Sequence, residues 1–171
     1  MPQLAGWQNF YVIVGSSAGA LIGLQFVVIA LFTTSRGPVA TSTMRAFATP
    51  TIVYFSSVVI VAGLLNVPHH TRTSLGVLLT ALGVFGLGYI VWVGFHMHRQ
   101  DGYTPDLGDR IWFIVLPSTA YAAALLAGIL MWSAPRSALN VEAASTMLLL
   151  LIGVHNCWDS AVYMVANPPT P

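Results

Sequence analysis

Lysine is missing from this chain of 171 residues, and its six cations are all arginine. Only 6% of the residues are charged, where a soluble domain carries about 25%. A chain so poor in charge cannot present an ordinary solvated surface. It also has no basic stripe to neutralise phosphates, which excludes a nucleic-acid partner. The single cysteine, Cys157, excludes an intrachain disulfide and any multi-cysteine zinc or iron–sulfur centre. The short signatures of common catalysts are missing too: no H-E-x-x-H, no P-loop, no dinucleotide fingerprint and no GxSxG elbow. Gly15-Ser-Ser-Ala-Gly19 comes nearest to the last, but it lies in a long apolar run rather than at a strand–turn–helix. Nothing assembles a nucleophile, a base and an oxyanion site, so no enzyme and no cofactor are expected.

What the chain has is apolar length. Hydrophobic residues make up 56% of it and the mean hydropathy is +0.77. Long runs without charge predict transmembrane helices, at about 7–33, 46–67, 74–98, 111–132 and 139–166. The expected fold is an all-α integral membrane protein, one bundle of five helices in a lipid bilayer. The first residues, Met1 to Trp7, lack a cationic n-region, and the apolar stretch after them is too long for a signal-peptide core. It is therefore taken as a span rather than a cleaved leader. Arg36, Arg45, Arg99 and Arg110 flank the first and third connections, Arg72 and Arg136 the second and fourth. By the positive-inside tendency the N-terminus lies outside and the C-terminus in the cytoplasm.

Two stripes of small residues predict close helix packing. Gly15, Gly19 and Gly23 recur every four residues in the first span, and Ala120, Ala124 and Gly128 in the fourth. Either neighbours within the chain or a second subunit would fill them. Ser56 and Ser57 are placed to return hydrogen bonds to their own backbone one turn back. Pro117 predicts a kink, with Ser118 helping to satisfy the freed carbonyl. Five spans do not divide into two equal halves, and a bundle this small has little room for a pathway of its own. A homo-oligomer with a site at or between subunits is the expectation.

Chemistry concentrates in Val154-His-Asn-Cys-Trp-Asp-Ser160 of the fifth span. Four residues apart on a helix, His155 and Asp159 share a face. Together with Asn156 and Gln25 they are the candidate pore, ion or proton site, His155 responding to pH. The competing expectations are a hydrogen-bond network that sets helix registry, or an Asp159 that lies at the interface in water. No metal site is expected. His96 and His98 point about 200° apart around a helix and cannot chelate one ion. The weak candidates are His96 and His155, which are also the one pair that could hold a haem between helices. Cys157 is read as inert in its apolar setting.

Gly15-Ser-Ser-Ala-Gly-Ala-Leu-Ile-Gly-Leu-Gln-Phe-Val-Val-Ile-Ala-Leu31, with His155-Asn-Cys-Trp-Asp159, resembles a group of uncharacterised small bacterial polytopic membrane proteins. The resemblance implies a bacterial inner-membrane location and carries no activity across. The function expected from the residues is an oligomeric channel or transporter for a small ion or polar solute. The alternatives are an accessory protein that modulates a larger membrane complex, and a haem or metal redox protein.

Overall fold

The computed structural model describes residues 2–36, 49–98 and 107–166, all of the ordered elements being helical. Five helices are long and apolar enough to cross a membrane. We label them α1 (Gln8–Arg36), α2 (Thr49–Asn66), α3 (Arg72–His98), α4 (Leu116–Ser133) and α5 (Pro135–Ala166). A short turn, Pro2–Ala5, precedes α1. Arg45, Arg99 and the terminal run 167–171, on which part of the expected orientation and the last boundary rest, lie outside the described residues.

Local chemistry explains the helix ends. Helix α5 begins at Pro135, four residues before the expected start, because a proline costs nothing in the first turn, where its missing N–H would have no acceptor. Thr71 caps α3 reciprocally: its Oγ1 accepts from the Ser74 N–H at 3.1 Å, and the Ser74 Oγ accepts from the Thr71 N–H at 3.1 Å. Just before this cap His69 takes φ 65°, the left-handed conformation that closes the tight link between α2 and α3.

Pro117 produces a wider device than a kink. It sits in the first turn of α4, directly after a π-helical turn, Ile111–Val115, in which the Leu116 N–H bonds five residues back to the Ile111 carbonyl. Widening the turn relieves the clash of the proline ring with the carbonyl of Phe113. The Tyr54 hydroxyl of α2 donates to that carbonyl at 3.3 Å. Thr119, rather than Ser118, bonds the backbone one turn back, its Oγ1 donating to the Val115 carbonyl at 2.9 Å.

Packing order differs from chain order. Helix α3 lies along α4, α4 along α5, α5 along α2 and α2 along α1, while the consecutive helices α2 and α3 barely touch. The α3–α4 seam is the tightest. A Cβ on Gly83 would lie 2.6 Å from the Leu125 nitrogen, one on Gly86 would enter the Tyr121 ring, and one on Gly128 would enter Thr80. Glycine at these positions lets two backbones meet, which is how helices associate where lipid offers no hydrophobic drive. Ala120 and Ala124 are fully buried on the same seam. The stripe on α1 is used only at one end. A Cβ on Gly15 would lie 2.5 Å from that of Ala62 on α2, but one on Gly19 or Gly23 would meet nothing within 4 Å among the described residues.

The core forms two main clusters along the bundle. One holds Tyr11, Val61, Leu65, Leu75, Leu79, Met131 and Leu139. The other holds Val14, Ala18, Tyr54, Phe55, Ile90, Tyr121, Leu149 and Ile152. Tryptophans mark the two ends. Trp7 and Trp132 pack at the end where α1 and α5 begin, and Trp92, Trp112 and Trp158 lie at the other. Aromatic rings in two bands are what a bilayer selects at its two polar boundaries.

Candidate functional site

Helix α5 packs against α4, α2 and α1, and its buried stripe reads Leu139, Glu142, Thr146, Leu149, Ile152 and Asn156. The spacings of three and four keep these residues on one side of a helix. Glu142 is 1% exposed. It lies about seven residues, roughly 10 Å, along α5 from Pro135, well inside the apolar length. The Thr146 hydroxyl donates to the Glu142 carbonyl at 2.8 Å and approaches Oε1 at 3.4 Å. Oε2 has no hydrogen-bond partner among the described residues. The Tyr11 hydroxyl of α1 is likewise buried and unpartnered, and the Glu142 carboxylate is close enough to act on it electrostatically.

Glu142 was not among the residues singled out from the sequence. Its signal is present, for Asn140-Val-Glu-Ala-Ala-Ser-Thr146 is a polar patch, and Glu142, Ser145 and Thr146 fall on one face. The patch looks like an ordinary wet helix end. Only the neighbouring helices turn that face inward. Ser145 is buried too, and its hydroxyl donates to the Ala120 carbonyl of α4 at 2.8 Å.

The four residues of the expected site are distributed unevenly. Asn156 points inward at 2% exposure, and both ends of its carboxamide lack partners among the described residues. Gln25 lies on the buried side of α1 in line with Tyr11, Val14 and Ala18. Asn156 follows Glu142 by fourteen residues, as Gln25 follows Tyr11. That is about 21 Å of helix, and α1 and α5 run in the same direction. Two polar levels result, Tyr11 with Glu142 near one end and Gln25 with Asn156 toward the other.

His155 and Asp159 do share a face, with Nε2 2.9 Å from Oδ2, but that face is the rim. Their side chains are 29% and 61% exposed. The imidazole stacks on Trp112 of the π turn with ring centroids 3.5 Å apart and planes 18° from parallel. With Trp92 and Trp158 at the same end, the pair belongs to the aromatic band rather than to the interior.

His96 is exposed, rests on the Trp92 ring with centroids 4.0 Å apart, and has Nδ1 3.0 Å from the Trp92 carbonyl. Among the described residues no three His, Cys, Asp or Glu side chains gather as metal ligands. Deeper in the bundle Ser57 bonds twice, donating to the Val53 carbonyl at 2.9 Å and meeting the Tyr121 hydroxyl at 2.9 Å.

At the Trp7 end, Gln8, Leu65, Asn66, Pro68, His69 and His70 border a cleft of about 160 Å³. Leu4 and Leu65 line this cleft and also pack in the cluster that contains Tyr11.

No protein-family model matches the chain, and no curated protein or solved structure matches it.

Proposed function

We propose that this protein carries a small ion across a membrane and that Glu142 is the group that takes up the ion inside the bilayer. One observation supports the reading: a carboxyl group at 1% exposure, with an oxygen that no described donor reaches. An ionisable group in a spanning helix is costly, and such groups mark ion and proton pathways. Asn156 and Gln25 extend polar contacts toward the other end. Between the two levels Leu149, Ile152 and Ala18 are fully packed, so the ion moves by rearrangement of the helices rather than down a standing water column.

The same reading makes the chain one subunit of a homo-oligomer in a bacterial inner membrane, with its N-terminus outside. The open face of α1 at Gly19 and Gly23 suits a second copy. It also suits a larger complex, which is the accessory alternative. Reconstitution into liposomes separates them. Flux that is lost in Glu142→Gln, with folding and oligomeric state unchanged, supports transport. Wild-type protein that moves no tested cation or proton overturns it.

A further inference from the structure

We infer that the ion taken up at Glu142 is a proton, held on its carboxyl group and delivered from the side of the cleft bordered by Gln8, Asn66 and His70. The inference deepens the reading of Glu142 given above and rests on it for the fate of the proton.

The first argument is coordination. A sodium or potassium ion sheds its water only where several oxygens replace it. Glu142 has around it the Thr146 hydroxyl, already bonded to the helix backbone, and the Tyr11 hydroxyl. The core cluster that holds Tyr11 also holds Val61, Leu65, Met131 and Leu139, whose side chains bring no oxygen ligand. A proton requires one lone pair and no volume. Oε2 offers that lone pair.

The second argument is charge. Among the described residues no cation bonds Glu142. Tyr11 is the titratable group that α1 brings toward it, while α2 presents Val61 and Leu65 with the neutral Asn66 at its end. The cluster that holds Tyr11 also contains Leu75 and Leu79 of α3 and Ala127 and Met131 of α4, none of them charged. Arg72 and Arg136 are exposed at the same end of the bundle, and His69 and His70 border the cleft. A carboxylate left in such a core has no compensation, whereas a carboxylic acid is neutral and can donate to an oxygen.

The third argument is access. The cleft has room for several waters and ends on Leu4 and Leu65, which also pack in the cluster around Tyr11. A water proton crosses this floor to reach Oε2. Each transfer forms one O–H bond as another breaks, and no oxidant or second reactant takes part.

Glu142 is the only glutamate among the 171 residues, which makes the test specific. The protein is prepared in liposomes with glutamate labelled by carbon-13 at its carboxyl, and infrared spectra are recorded across neutral pH. The expected result is a carboxylic-acid C=O band that shifts with the label, disappears in Glu142→Gln and moves in Tyr11→Phe. The same vesicles take up protons under an imposed potential, at least tenfold more slowly in Glu142→Gln. The band without flux of any ion upholds the proton site and overturns the transport reading. Sodium or potassium flux with only a carboxylate band overturns the proton and keeps transport. Neither band nor flux overturns both.

Discussion

In its first turns α5 buries Glu142 with Thr146 as its bonded neighbour, whereas four turns later His155 and Asp159 hold each other at 2.9 Å in the open. Both sites place a carboxylate on a mostly apolar helix. At the rim the carboxylate has a partner one turn away and solvent on its far side, so it costs little, and such a pair contributes about 0–1 kcal/mol. Inside, the carboxylate is 1% exposed and has no opposite charge among the described residues. A polar group buried without adequate bonds costs about 1–3 kcal/mol by mutational measure. A residue kept under those terms points to use rather than to stability.

The largest expected effect tests this contrast through function. Glu142→Gln lowers ion flux at least tenfold, while Asp159→Asn stays within about twofold, both read in the same vesicle assay. Equal losses from the two would erase the distinction between interior and rim.

Stability should move the other way at the interior site. Glu142→Leu is expected to raise unfolding free energy by about 1–3 kcal/mol, because an uncompensated polar group gives way to an apolar one of similar volume. Reversible unfolding in mixed micelles measures it. A destabilised Glu142→Leu protein would mean that the carboxyl holds the bundle together.

The seam and the open stripe can be set against each other in the same way. Gly128→Leu forces a side chain into Thr80 and is expected to cost about 1–3 kcal/mol. At Gly19 an added Cβ meets nothing within 4 Å among the described residues, and Gly19→Leu is expected to change stability by less than about 0.5 kcal/mol. Chromatography of the Gly19 variant then reads the subunit contact alone.

At the rim the expected effect is smallest. His155→Ala removes the Trp112 stack and the ion pair, a loss of about 1 kcal/mol, and leaves flux unchanged. A thermal melt and the vesicle assay check the two parts.

Some of this was legible without coordinates and some was not. The heptad arithmetic that joins Glu142 to Asn156 is visible in the chain, but Glu142 stood beside Asn140, Ser145 and Thr146 and so resembled a solvated helix start. His155 and Asp159 drew attention because apolar residues flank them on both sides. Their four-residue spacing correctly implied a shared face. Nothing in the spacing says whether that face looks inward, since the direction is set by where Trp112 of the π turn before α4 packs. Pro117 was legible as a disturbance, while the π turn and the Tyr54 hydroxyl that accommodate it depend on a helix more than fifty residues away.

The sequence by itself determined the class of protein and the helices, because the bilayer's demand is local. About 20 apolar residues in a row satisfy every backbone group internally and match the hydrocarbon thickness, and proline or capping residues then set the ends. Tertiary structure alone decided which helices are neighbours, that α2 and α3 follow one another yet hardly meet, and that Gly128 is filled while Gly19 is open. It also decided that the enclosed carboxylate is Glu142. Burial of a side chain is a property of what surrounds it, and three separate helices, α1, α2 and α4, pack against α5.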